Sequence, residues 1–221
     1  MRFYKKKSNC LFLIPLIMKK LLLSAMAIAA IAFTGCNEAD RLASKVTGTW
    51  SSTPQMLVND AGSQATIVES ITFERDSDTA GGGIIITGLI SSTGAMTGSD
   101  AVMQPFEMAA SARSTVRGTW RAVDDDDIML TLDVAAMTVD IDPSALVISS
   151  NVISGDTQSD PETLKPQMAA MVQAALRRQL TARYTEMTKL DDVKVKDNDT
   201  VLKFEVGKKD FVYSNQAPVT K

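Results

Sequence analysis

The 221-residue chain carries 23 basic and 26 acidic residues, no histidine, and two cysteines, Cys10 and Cys36. Without histidine there is no Ser-His-Asp or Cys-His nucleophile and no His-based zinc site, and two cysteines cannot ligate an iron-sulfur cluster. Carboxylates are the only acid-base groups left to an enzyme, and nothing in the sequence pairs two of them across a cleft, so a non-enzymatic role with no cofactor is expected.

From Met1 to Cys36, basic residues precede an apolar run and a short small-residue motif, the order of a secretory leader. There are two basic clusters, Lys5 to Lys7 and Lys19-Lys20. Because Met18-Lys19-Lys20 leads directly into Leu21 to Phe33, Met18 alone opens a complete leader and is read as the true initiator. The Leu21 to Phe33 run is shorter than the roughly 20 residues of a spanning helix. Extending it back to Leu11 would bury Lys19 and Lys20, so cleavage fits better than a permanent span.

The run ends in Phe33-Thr34-Gly35-Cys36, which resembles the lipobox of bacterial lipoproteins, with Phe33 standing where leucine is usual. The resemblance implies a signal peptide over 1–35 and diacylation of Cys36 as the mature N-terminus. Ordinary cleavage at Ala27-Ile28-Ala29 would cut inside the apolar core. Asn37 after the cysteine, rather than aspartate, implies outer-membrane sorting. Glu38-Ala39-Asp40 loosely resembles the acidic surface-export stretch of Bacteroides-group lipoproteins, and the periplasmic face and the cell surface both stay open.

Loss of the leader removes six basic residues and no acid, leaving 17 basic against 26 acidic residues and a formal charge of −9. Such a surface repels polyphosphate, so nucleic acid is not an expected partner. The membrane is expected as a partner only through the lipid on Cys36. With Cys36 as the only mature cysteine, no disulfide can form within the domain. The remaining 36–221 suffices for one domain.

Residues 36–45 read as a lipidated tether and 46–221 as a single domain. Period-2 alternation dominates to about Ile153 and predicts half-buried strands. Ile67, Ile71 and Phe73 share one face, with Ser70, Thr72 and Glu74 on the other. Gly81-Gly82-Gly83 reads as a flexible turn opening a strand over Ile84 to Ile90, closed by a turn-rich Ser91 to Ser99. Val116 to Ala122 and Ile128 to Val134 alternate around Asp124 to Asp127 and predict the clearest hairpin, and Leu146, Ile148 and Val152 mark another strand.

At Asp160-Pro161-Glu162 the period changes to helical, with an N-cap candidate, a proline at the first position and an acid in the first turn. The helix, at about 160–189, carries Met168, Met171, Val172, Ala175, Leu176, Leu180, Tyr184 and Met187 on one apolar stripe, and Pro166 is expected to kink it or reset its start. Val193, Val195, Leu202, Phe204, Val206, Phe211 and Tyr213 then predict an antiparallel meander. The expected fold is mainly β: an antiparallel barrel or sandwich of about eight strands, with one amphipathic helix inserted before the C-terminal strands.

Val46-Thr47-Gly48-Thr49-Trp50 and Val116-Arg117-Gly118-Thr119-Trp120 share Val-x-Gly-Thr-Trp and contain the only two tryptophans. Two core anchors at a barrel base explain the echo. The first copy resembles the Gly-x-Trp start of lipocalins. Both copies, with Leu130-Thr131-Leu132, resemble the lipocalin-like (calycin-type) lipoproteins of the Bacteroides group, which implies the barrel but not a shared ligand.

Asp124 to Asp127 could gather a hard cation but reads more simply as a solvated hairpin loop. Asp76 to Gly81 opens like an EF-hand loop, then fails at Ala80 and Thr87. The sharpest functional expectation is that Met168, Met171 and Met187 line a pocket if the helix caps the barrel mouth; core packing is the plainer use. The leading expectation is therefore a non-enzymatic outer-membrane lipoprotein, binding a small apolar or glycan-derived ligand. The alternatives are a structural subunit of an envelope or cell-surface complex and, behind that, a carboxylate-based hydrolase.

Overall fold

A computed structural model describes residues 38–60, 62–96, 106–150 and 161–215, so the leader, Cys36 and Asp160 lie outside the described residues. In chain order the strands are β1 (Gly48–Ser52), β2 (Gln55–Asp60), β3 (Ser63–Arg75), β4 (Gly81–Met96), β5 (Phe106–Ala122), β6 (Ile128–Leu132), β7 (Thr138–Ile141), β8 (Val147–Ser150), β9 (Lys189–Lys196), β10 (Val201–Val206) and β11 (Lys209–Asn215). Two α-helices accompany them, α1, described over 38–46, before β1, and α2 (Pro161–Glu186) before the last three strands.

The sheet runs β1-β11-β10-β9-β6-β5-β4-β3, and β1 also pairs with β3, which closes an eight-stranded antiparallel barrel. Closure leaves those strands without a free edge. The expected mainly β barrel, with its helix ahead of the C-terminal strands, is what the chain forms.

The long strands depart from the short ones expected. Ser91 to Met96 continues β4 rather than turning, and Gly81 to Gly83 are strand residues paired with β3 and β5 rather than a flexible turn. Along its other edge, β5 is covered in turn by β8, β7 and β6. Beyond the closed part, β3, β4 and β5 project as an open sheet flanked by β2 and β8.

The two ends of the barrel are closed differently. At one end lie the start of β1, the β3–β4 turn and the β5–β6 loop, and here α1 packs. Residues 38–45 were expected as a tether; instead Ala39, Leu42, Ala43 and Val46 are buried in the main core. Their three- and four-residue spacing puts them on one face of a helix, where burial outweighs the freedom of a linker. Trp50 is buried beside them and its Nε1 donates to the Val46 carbonyl at 2.7 Å. Trp120 donates to Glu74 O at 3.0 Å and meets Phe73 edge-on, with ring centroids 5.2 Å apart.

The two echoed glycines serve different ends. Gly48 has φ +129°, a left-handed conformation that side chains resist, whereas a Cβ on Gly118 would lie 2.1 Å from Thr131 O.

The other end, the mouth, is covered by α2. Its helix runs unbroken through Pro166. Met168, Ala169, Leu176, Leu180 and Tyr184 are buried, and Met187 just beyond the helix is buried too. This row advances mostly in steps of four and therefore drifts around the helix. The drift carries Met171 off the stripe expected of it, and it stands 48% exposed.

Candidate functional site

Alternation along β3 sends Ala65, Ile67, Glu69, Ile71 and Phe73 inward, all of them buried. The sequence periodicity places Ile67, Ile71 and Phe73 on this face, and Glu69 shares their parity. Glu69 is 0% exposed, and no other carboxylate among the described residues is buried. Its backbone N–H donates to Ser52 Oγ on β1 at 2.9 Å.

Four donors meet the Glu69 carboxylate. Arg183 donates through Nε to Oε1 at 3.0 Å and through Nη2 to Oε2 at 2.5 Å. Tyr184 Oη donates to Oε1 and Tyr213 Oη to Oε2, each at 2.9 Å. The guanidinium also donates to Gln55 Oε1 at 2.7 Å and lies 5.4 Å from the centre of the Phe211 ring. One carboxylate on β3 thus ties together the end of α2, β2 and β11.

The electrostatics follow from this packing. Burial works against the Arg183 charge, but the hydrogen bonds and charge of Glu69 more than offset it, and its pKa is raised. Burial, then the Glu69 charge and hydrogen bond, raise Tyr184 and Tyr213 far above the ordinary phenol value. Charge-assisted bonds of this kind are the strong ones. Since both carboxylate oxygens are already engaged by donors, the cluster is suited to holding α2 in place rather than to moving protons. Ser114 is buried on the inward face of β5, beside the cluster.

Around the cluster the barrel is packed with side chains. Ile67, Ile71, Ile86, Leu180, Phe204 and Tyr213 belong to one continuous core, and Phe204 stacks on Tyr213 with centroids 5.3 Å apart. Room for a ligand lies outside it. Between the middle of α2 and the projecting part of β2 to β5 is a groove of about 350 Å³. Val58, Ala65, Met108, Met171, Val172 and Ala175 supply its apolar lining, with Asp60, Gln64, Arg178 and Gln179 among its polar residues. That volume is at the small end of ligand sites.

The three methionines expected to line one pocket are separated. Met171 lines the groove. Met168 packs with Ala110 and Leu146 in a second small cluster, and Met187 lies in the main core. Groove residues such as Val58 and Met108 come from other elements, and no local spacing marks them.

The Asp124 to Asp127 run forms the β5–β6 loop, where Asp124 Oδ1 accepts from the backbone N–H groups of Asp126 and Asp127 at 3.2 and 2.8 Å. That is the turn chemistry of aspartate. Asp124, Asp125 and Asp126 carboxylates lie within 4.8 Å of one another. Slight burial, then repulsion from Asp125, Asp124 and Asp127, raises the Asp126 pKa. Lys189 bridges Asp127 and Asp191, each at 2.6 Å.

Comparison with protein-family models, with curated proteins and with solved structures found no match. The functional reading therefore rests on the fold, the groove and the sequence motifs.

Proposed function

We propose that this chain is a non-enzymatic, lipocalin-like lipoprotein of the outer membrane, attached through Cys36, that takes a small apolar or glycan-derived ligand in the groove beneath α2. The observation that carries the ligand reading is the contrast between a packed barrel axis, crossed by the Glu69 cluster, and an apolar-lined groove of about 350 Å³ beside it. The lipid attachment is supported by the leader and the Phe33-Thr34-Gly35-Cys36 motif.

The test is titration with a small apolar fluorophore, N-phenyl-1-naphthylamine. Ala175→Trp fills the groove from an exposed position of α2, while Ala182→Trp changes the helix's outer face. Binding is expected in the parent and in Ala182→Trp, and loss in Ala175→Trp. Equal binding by both variants would move the ligand elsewhere. No binding by any of the three would favour a scaffold subunit of an envelope complex. Metabolic labelling with an alkyne fatty acid should mark the parent and spare Cys36→Ala.

A further inference from the structure

We infer that the protein stands on the membrane by its α1 end, with the groove beneath α2 at the opposite end, turned to the aqueous compartment. The inference rests on lipidation of Cys36 as proposed above, and goes beyond it by assigning the face that meets the lipid surface.

In α1, described from residue 38 onward, Ala39 is only 6% exposed and part of the core. Asp40 is paired with Arg75 at 3.0 Å, and Arg75 Nη1 donates to Ser44 Oγ. Further along, Thr47 Oγ1 donates to the Ala43 carbonyl and Trp50 Nε1 to that of Val46. The helix is held along its length. Only Asn37 separates Cys36 from residue 38, and two residue steps reach at most about 7 Å. An acyl chain on Cys36 is therefore attached almost directly to the rim beside the β3–β4 turn, because Ala39 and Asp40 line the same depression as Asp76 to Gly83.

The opposite end is remote from that point. β4 runs from the α1 end to the mouth, and its 16 residues make about 50 Å of strand. The groove is lined by the far portion of β4, Ser92 to Gly94, and by α2. With an attachment this short, the barrel cannot swing its mouth to the bilayer without tipping onto its wall.

The loops of this end do not draw it to an anionic surface, and the exposed Arg41 and Lys45 of α1 are the basic residues beside the attachment point. The β3–β4 turn carries Asp76 and Asp78, the β5–β6 loop four aspartates, and the β9–β10 turn Asp197 and Asp199, with no Lys or Arg in any of the three. Anionic headgroups would repel these loops. The covalent link sets the orientation, and the groove meets ligands arriving through water rather than from the bilayer.

The experiment uses the full chain purified with its own lipid and reconstituted in phosphatidylcholine vesicles. Cys36 is the only mature cysteine and is consumed by the lipid, so an added cysteine gives a unique label site. A fluorophore on Asp78→Cys, at the α1 end, and one on Ala174→Cys, exposed on α2, are compared for quenching by a nickel-chelating lipid. Several-fold stronger quenching at position 78 is expected. Equal quenching, or stronger quenching at 174, with the protein floating with the vesicles and Cys36→Ala released from them, would overturn the orientation and leave the anchor reading standing. A chain that does not float would overturn both.

Discussion

The two ends of the barrel are sealed by helices of opposite character. At the α1 end, the helix contributes small and aliphatic side chains, Ala39, Leu42, Ala43 and Val46, and the indole N–H groups of Trp50 and Trp120 are satisfied by backbone carbonyls. At the mouth, α2 brings aliphatic residues too, but its last turns are fixed by a buried carboxylate facing a cation and two phenols. Apolar sealing tolerates small errors of position, because dispersion and burial are non-directional. A carboxylate with four directed donors does not, and removing one partner leaves a buried group without compensation. The mouth is therefore expected to be the more sensitive end to single polar changes.

The largest expected effect breaks the comparison at the mouth. Glu69→Ala removes the acceptor of Arg183, Tyr184 and Tyr213 at once and is expected to cost about 3–5 kcal/mol, as for breaking a buried ion pair. Chemical denaturation measures it, and a loss below that of any α1 substitution would reverse the ranking of the two ends. Leu42→Ala, in α1, is expected to cost about 2–4 kcal/mol by loss of burial and residual cavity. Its midpoint in urea against that of the parent gives the value directly.

A smaller effect sharpens the mouth itself. Tyr213→Phe removes one of the two phenol donors and is expected to cost about 1–2 kcal/mol. It also changes the response to alkali. Both phenols have folded-state pKa values raised above 10.0, the ordinary value. Their contribution is complete below that pH and is lost as pH rises above it, because the unfolded chain releases protons that the folded chain retains. Lys189 and Lys194 are shifted in the same direction by Asp127, Asp191 and Asp192. Stability measured between pH 9 and 11 should fall less steeply in Tyr213→Phe than in the parent; an unchanged slope would place the alkaline sensitivity on the lysines.

The smallest effect belongs to the α1 end. Asp40→Asn removes the ion pair with Arg75, whose partners are 54% and 27% exposed, and is expected to change stability by under about 0.5 kcal/mol. A thermal midpoint within error of the parent, beside a clear shift for Leu42→Ala, would show that α1 is held by its apolar face.

Much of this architecture could be read before any coordinates. The hairpin around Asp124 to Asp127, the last three strands and the late helix each announce themselves through local periodicity or turn residues. Tyr184 was visible on the helical stripe. Glu69 was also legible, since Ile67, Glu69 and Ile71 share one parity, but an acid among aliphatic residues invites assignment to solvent. Arg183 carried no such signal, because its partner lies 114 positions away in the chain. The helix over 38–46 is hidden in the sequence because Ala39, Leu42 and Ala43, diluted by Glu38, Asp40, Arg41, Ser44 and Lys45, look polar until their helical spacing finds a surface to cover.

The sequence by itself determined the kind of domain: β-rich, acidic and without histidine, after a stretch in which basic residues, an apolar run and Phe33-Thr34-Gly35-Cys36 follow one another. These are properties of composition and of neighbours within a few residues, where periodicity and turn chemistry act. Only the tertiary structure decided that the barrel is packed rather than hollow, that Glu69 holds α2 across the mouth, and that Met168, Met171 and Met187 part company. Those outcomes depend on side chains far apart in the chain filling one volume, and neither volume nor a distant hydrogen-bond partner is encoded in any local pattern.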